Sequence, residues 1–224
     1  MRLLVLSDIH ADGDGLEQVL AHSRSFDWQG VLLLGDLIGY GREPGRTLAL
    51  LESLPVVASL EGNHEYMLKR LRSGFPPSVS DRILEPLELC LSELSAGQLD
   101  ALAALPASHV TDRWQAVHGH PGKHRFEYVL GSVDARRAEA SFQADLLLLG
   151  HTHLPGLLLK GEDGRWVSRP ARLDSHSWRI PEGVRAIANP GSVWQNRDGQ
   201  AGGSYGLLDI TASDETVFTV QRLP

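Results

Sequence analysis

Seven side chains of the types that bind divalent cations fall into five groups, and each group follows a short apolar run. Asp8 and His10 follow residues 3–6, and Asp36 follows 31–34. Asn63 follows 56–60, His118 follows 114–117, and His151 and His153 follow 146–149. Carboxylate and amide oxygens combined with imidazole nitrogens suit Mn, Fe, Zn, Co or Ni, and suit Ca less well. Seven ligands are more than one catalytic metal takes. They match two divalent metal ions about 3.5–4 Å apart and bridged by a carboxylate, an arrangement that stabilises the attacking and leaving oxygens of a phosphoryl transfer. In Asp8-x-His10 and His151-x-His153, an extended chain would point both side chains to one side, so each pair could address one cluster. Glycines at 35, 62, 119 and 150 permit close backbone approach at the ends of the runs. Singly, Asp8 reads as well as a helix cap and Asp36 as a turn former. Jointly, five such coincidences at five run ends are hard to produce by accident.

These side chains can meet only if the runs that carry them lie side by side. Unbroken apolar runs of this length read as strands buried on both faces. Leu16, Val19 and Leu20 predict a helix over about 14–25, and Leu48, Leu50, Leu51 and Leu54 predict another. Residues 62–72 and 81–104 read as helical, as do 135–142 more weakly. Strands alternating with helices predict an α/β layered fold, in which ligands bind beyond the carboxyl ends of the strands. After His153 the pattern changes. Runs at 157–160 and 166–169 flank the turn signal Gly161-Glu162-Asp163-Gly164, and strand-like runs follow at 185–188, 205–210 and 216–222. The C-terminal third therefore reads as antiparallel β-structure. Residues 73–80, with Pro76-Pro77, read as a loop, His109 and His176 as loop residues, and His22 as a solvated residue on a helix face. With no repeat and no low-complexity linker, residues 1–224 are expected to form a single domain with two sheets.

The composition narrows the partners. With 21 Lys plus Arg against 28 Asp plus Glu, the chain carries a net charge of −7, so stable nucleic-acid binding through a basic groove is not expected. The single cysteine, Cys90, excludes an intrachain disulfide and a multi-cysteine zinc site. The first apolar run is shorter than the core of about 7 residues that a signal peptide needs, and no run approaches the ~18 residues of a membrane span. A soluble, cytoplasmic protein is expected, with homo-oligomerisation left open.

The order Asp-x-His, Gly-Asp, Gly-Asn-His-Glu, His, Gly-His-x-His resembles that of the calcineurin-like metallophosphoesterase superfamily. The stretches Gly35-Asp36-Leu37-Ile38-Gly39-Tyr40-Gly41 and Asn189-Pro190-Gly191-Ser192-Val193 resemble its small prokaryotic phosphodiesterase-type members. The resemblance implies an α/β/β/α sandwich of two mixed sheets flanked by helices. It implies a first metal held by Asp8, His10 and His153, a second held by Asn63, His118 and His151, and Asp36 as the bridge. His64 matches the family's catalytic histidine, which contacts the phosphate and protonates the leaving group. The implied function is metal-dependent hydrolysis of a small phosphoester, nucleotides among the candidates, by a phosphodiesterase that uses a metal-bridging hydroxide.

There are departures from the family pattern. Large protein phosphatases of the superfamily carry Asp-Arg where this chain has Gly39-Tyr40, so their phosphate-clamping arginine is missing. Arg42, two residues on, is its candidate replacement. His120 stands where small members often have Ser, and Trp194 where they often have Gly. Arg42, His120 and Arg197 are candidate substrate-binding residues. The alternatives are a phosphomonoesterase or phosphoprotein phosphatase, and a non-catalytic protein-binding scaffold of the same fold. The presence of His64 with all seven ligands favours an enzyme.

Overall fold

The alternation inside each apolar run sorts its side chains into two layers of the computed structural model, which describes residues 1–211 and 215–223. In β1 (Arg2–Leu6), Leu3 and Val5 join an apolar layer between two sheets, whereas Leu4 and Leu6 pack with helices. A strand covered on both faces has no polar face, which explains the unbroken run. Helix α1 (Gly13–Ser23) is capped by Asp12, whose carboxylate accepts the Gly15 N–H at 2.9 Å. It lays Leu16, Val19 and Leu20 on that helix-facing side. A 3-10 turn, Arg24–Phe26, closes it.

Next come β2 (Gly30–Leu33), α2 (Pro44–Glu52) and β3 (Val56–Ser59). β3 is an edge strand, and Val56 and Val57 are exposed, so this one of the five runs is not buried as expected. Helices α3 (Asn63–Arg72), α4 (Asp81–Glu93) and α5 (Ala96–Ala103) follow. The stretch 81–104, expected as one helix, is thus two. Leu94 closes the first, and Ser95 caps the second: its Oγ accepts the Gln98 N–H at 3.3 Å, and Gln98 Oε1 accepts the Ser95 N–H at 3.0 Å.

The second half of the chain supplies β4 (Ser108–Val110), β5 (Trp114–Val117), α6 (Ser132–Glu139) and β6 (Leu146–Leu148). The expected hairpin joins β7 (Gly156–Lys160) to β8 (Trp166–Pro170). Then come β9 (Ser175–Ile180), β10 (Ala186–Asn189), β11 (Ser204–Ile210) and β12 (Thr216–Arg222). His109 and His176 are strand residues, not loop residues. Each stacks on a tryptophan two or more residues away, His109 on Trp114 at 5.2 Å and His176 on Trp178 at 4.4 Å. His22 is exposed on α1, but its Nδ1 also lies 2.7 Å from the Tyr205 hydroxyl.

Among the described residues, one sheet runs β3-β2-β1-β11-β12-β9 and the other β4-β5-β6-β10-β7-β8. β1, β2 and β3 are mutually parallel, as are β5, β6 and β10. The pairs β1–β11, β11–β12, β12–β9, β4–β5, β10–β7 and β7–β8 are antiparallel. The C-terminal third is therefore antiparallel except where β10 runs beside β6. Between the sheets lie Leu3, Val5, Leu32, Leu148, Leu208 and Phe218. Helices α1 to α5 cover the outer face of the first sheet, and α6 packs on Val117, Leu147 and Leu149 of the second. This is an α/β/β/α sandwich of two mixed sheets. No described helix is long and apolar enough to cross a membrane.

Candidate metal centre

All five groups of candidate ligands follow parallel strands. β1, β2 and β3 of one sheet and β5 and β6 of the other end at a common edge of the sandwich. Asp8, His10, Asp36, His118, His151 and His153 are all buried there. The route by which the paired residues converge differs from the expected one. Asp8, His10, His151 and His153 have φ of 53°, 56°, 65° and 57°, so the chain at both pairs is left-handed, not extended. The backbone is held in that conformation by hydrogen bonds: Asp8 N–H to Gly35 O at 3.1 Å, and His10 N–H to Asp36 O at 2.9 Å. Close approach requires glycine at two positions. A Cβ on Gly62 would lie 2.1 Å from Asp36 Oδ1, and one on Gly150 would lie 1.8 Å from Ser7 Oγ.

Asp36 is central. Its Oδ2 lies 3.4 Å from His118 Nε2 and 3.9 Å from Nε2 of both His10 and His64, while Oδ1 accepts the His64 N–H at 2.9 Å. Asp8 Oδ2 accepts from Ser7 Oγ at 2.7 Å and from the His151 N–H at 2.9 Å. Its buried Oδ1 accepts no hydrogen bond, although His153 Nε2 is 3.2 Å away. Asn63 Oδ1 lies 3.1 Å from His118 Nε2.

The imidazoles of the four candidate histidine ligands share one construction. The outer nitrogen of each faces a backbone carbonyl: His10 Nδ1 to Ile38 O at 3.3 Å, His118 Nδ1 to Leu34 O at 2.8 Å, His151 Nε2 to Phe126 O at 2.9 Å, and His153 Nδ1 to Gln195 O at 2.7 Å. A carbonyl only accepts, so each outer nitrogen carries a hydrogen, and each inner nitrogen is left to a cation or, as at His118, to a second proton. The inner nitrogens then face one another in pairs, His10 Nε2 to His153 Nε2 at 3.2 Å and His118 Nε2 to His151 Nδ1 at 3.1 Å. Two lone pairs at that distance repel unless a cation lies between or beside them. Both pairs adjoin a carboxylate, and one of those carboxylates has an unpartnered oxygen. This donor set fits divalent metal ions. Three groupings, Asp8–His10–His153, His10–Asp36–His64 and Asp36–His118–His151, each bring their ligand atoms within 4.8 Å of one another.

The electrostatics agree. Burial works against the charge on Asp36, yet His118, His64 and His10 hold its carboxyl well below the usual range. Burial likewise opposes the charge on Asp8, and His153 and His118 hold its carboxyl below the usual range. Burial drives His10 down to about 3, and burial with the neighbouring His118 drives His151 down to about 4. His118 goes the other way. Burial disfavours its charge, but Asp36 and then Asp8 push it up to about 9, so without a metal it takes the cation's place with a proton. Burial holds His64 below the ordinary histidine value, and its buried Nδ1 has no partner.

The remaining candidates lie outside this cluster. The Arg42 side chain is 77% exposed and pairs with Glu85 at 3.7 Å. His120 is half-buried, and its Nδ1 accepts the Gly122 N–H at 2.9 Å within a turn. Arg197 donates its backbone N–H to His153 O at 2.9 Å and its guanidinium to the Tyr128 hydroxyl at 3.2 Å. Sequence reasoning missed Glu65. Its two oxygens accept the N–H groups of Asp36, Leu37, Ile38 and Gly62 at 2.8–3.2 Å, which fixes the loop that carries Asp36. Burial and the nearby Asp36 push Glu65 up to about 7. Its signal was present, an acid at the third position of a helix capped by Gly62. Ser192 and Asn189 brace the same edge through Asp8 O at 2.8 Å and Gly150 O at 2.9 Å. Tyr128 stacks on His151 at 4.4 Å and had no signal, since it lies in an irregular segment.

Residues 1–213 match the family model of the calcineurin-like phosphoesterase superfamily domain, and the chain belongs to that superfamily. It is 27% identical to an uncharacterised protein of Methanocaldococcus jannaschii over 92% of this chain and 82% of the relative. A metallophosphoesterase from Sphaerobacter thermophilus is 28% identical and superposes with a TM-score of 0.84, covering 100% of this chain and 89% of that one. An archaeal phosphodiesterase shares the fold at 16% identity and a TM-score of 0.51, over 98% and 99% of the two chains. Membership and the donor set together support a metal-dependent phosphoester hydrolase.

Proposed function

We propose that the chain is a phosphodiesterase working with two divalent cations. Asp8, His10 and His153 would hold one, Asn63, His118 and His151 the other, with Asp36 between them. The observation that carries this reading is the pair of inward-facing nitrogen couples, His10 with His153 and His118 with His151. Bound cations supply Lewis-acid chemistry, neutralising phosphoryl oxygens and lowering the pKa of water towards neutrality. The chain's own residues do the rest. The carbonyls of Ile38, Leu34, Phe126 and Gln195 lock the ligand rings. Glu65 holds the Asp36 loop. His64, whose pKa burial lowers and whose Nε2 lies 3.9 Å from Asp36 Oδ2, would donate a hydrogen bond to the leaving oxygen. Tyr40 and Trp194, packed against His10 at 4.7 and 5.4 Å, wall one side of the site.

A diester is favoured over a monoester because a monoester brings a second negative charge and normally meets an arginine clamp. Arg42, the candidate for that role, points to Glu85 instead. A lone, buried cysteine suits the reducing cytoplasm, and we place residues 1–224 in one catalytic domain acting there on a small soluble ester. The test is turnover of bis-p-nitrophenyl phosphate and p-nitrophenyl phosphate by chelated and Mn-reloaded protein. Chelated protein is expected to be silent, and Mn to restore turnover with the diester preferred. Activity that survives exhaustive chelation overturns the metal assignment, and preference for the monoester overturns the diester assignment.

A further inference from the structure

Beside the metal centre lies a cavity of about 440 Å³, whose walls include Tyr40, Arg82, Ile83, Trp194, Asn196 and Arg197. It shares those walls with the centre. Tyr40 lies 4.7 Å from His10 and 4.8 Å from His64, and Trp194 lies 5.4 Å from His10. Arg197 is hydrogen-bonded through its backbone to His153. The cavity thus adjoins the centre across Tyr40 and Trp194, although none of the seven candidate ligands lines it.

The chemistry of the walls is specific. Tyr40 and Trp194 stack face to face at 4.8 Å and 12°, which makes a rigid aromatic platform. Flat π-systems of this kind receive nucleobases without requiring a particular base. The Arg82 guanidinium sits 5.5 Å over the Tyr40 ring and makes no ion pair among the described residues. Arg197 is held by a tyrosine hydroxyl, not by a carboxylate. Two arginines without acidic partners thus line a cavity that no Asp or Glu lines, on a chain of net charge −7. Such a local reversal of sign concentrates anions, and guanidinium forks match phosphate oxygens. An arm carrying a second phosphate but no ring would use the arginines and leave the platform idle; an uncharged aryl arm would do the reverse.

We propose that this cavity binds the leaving-group arm of a nucleotidyl phosphodiester, with the base against Trp194 and a second phosphate met by Arg82 and Arg197. The inference rests on the phosphodiesterase reading and names its substrate class. For a 5′-phosphorylated diadenosine dinucleotide, the water oxygen bonds to the internal phosphorus and the bond from phosphorus to the 3′ oxygen breaks. That oxygen takes a proton, and two molecules of AMP result, one of them in the cavity.

The experiment has a binding arm and a kinetic arm. In calorimetry on chelated protein, AMP is expected to bind at least about tenfold more tightly than adenosine or inorganic phosphate alone, since each half uses only one kind of wall. Arg82→Ala and Trp194→Leu are each expected to weaken AMP about tenfold. In the metal-loaded enzyme, Arg82→Ala is expected to lower the preference in kcat/KM for the dinucleotide over bis-p-nitrophenyl phosphate about tenfold, chiefly through KM. Arg82 is an exposed residue in the first turn of α4, so its variant decides the matter even if Trp194→Leu fails to fold. AMP binding no tighter than inorganic phosphate, or binding and preference unchanged in Arg82→Ala, overturns the inference. Silence on both esters with AMP still bound in the cavity would instead overturn the phosphodiesterase reading.

Discussion

Val5 and Asp8 are three residues apart, and the regions they belong to are built on different rules. Around Val5, the layer between the sheets is apolar, regular and extended, with Leu3, Leu32, Leu208 and Phe218 almost wholly buried. Around Asp8, the strand ends gather buried charge and left-handed backbone. Of the eight non-glycine residues with positive φ among the described residues, Asp8, His10, Ala11, Asp36, Tyr40, His151 and His153 lie at this edge, and only Asp27 lies elsewhere. Each such residue costs on the order of 1 kcal/mol or more. The layer therefore stabilises the fold, whereas the strand ends draw on that stability to hold the candidate ligands in place. Damage to the two regions should look different.

The largest effect is expected from Asp36→Ala. It should abolish turnover and leave less metal bound after dialysis than any other single ligand substitution, because Asp36 faces three imidazoles. Circular dichroism of the metal-free variant should remain that of the wild type. Two metals retained per chain, by mass spectrometry, would remove Asp36 from the bridging position.

His64→Ala should cost roughly 10²–10⁴-fold in kcat with both metals retained. An alkyl diester should suffer more than a nitrophenyl ester, whose leaving group departs without help. Equal losses would reduce His64 to phosphate binding. Loss of a metal would make it a ligand, a role its 3.9 Å distance from Asp36 permits.

In the apolar layer, Phe218→Ala should destabilise the fold by about 3–5 kcal/mol in denaturant unfolding while kcat per folded, metal-loaded molecule holds. A fall in kcat with stability unchanged would erase the distinction between the regions.

The smallest effect is a single proton. His118 is pushed up from 6.5 to about 9 in the metal-free chain, so at pH 7.5 it is charged, and metal must displace its proton. Metal affinity should therefore rise with pH and level off above about 9. Calorimetry in buffers of different ionisation enthalpy should show about one proton released at pH 7.5. No release would mean that His118 enters the folded state neutral.

What could be read in the sequence divides along the same line. The layered architecture was legible because burial on both faces leaves an unbroken apolar run. β9 was missed because polar residues alternate with Trp178 and Ile180 along it, so it reads as a weak pattern. The break at Ser95 was written in Ser95-x-x-Gln98 but was masked by leucines on both sides. At the strand ends, residue types and order indicated the cluster, but the conformation did not follow from them. An extended Asp8-x-His10 was a reasonable inference, and the chain turned left-handed because Gly35 and Asp36 offer it hydrogen bonds from the loop that follows β2. Contacts such as Tyr128 on His151 depend on an irregular segment whose path no local pattern encodes.

The antiparallel pairing of β1 with β11 has a consequence in time. Arg2 lies opposite Asp209, and the Met1 amino group bonds Ile210 O across 209 positions of chain. At about 5–20 residues per second, translation takes on the order of ten to forty seconds to span that interval. Until then the nascent β1 has β2 on one side and an open edge on the other, of the kind that invites wrong partners. Asp8 and His10 are made well before His153 and the bracing Ser192, which lie 143 and 184 positions on from His10 and Asp8. On the ribosome, the candidate metal centre cannot be assembled until both distant segments have emerged.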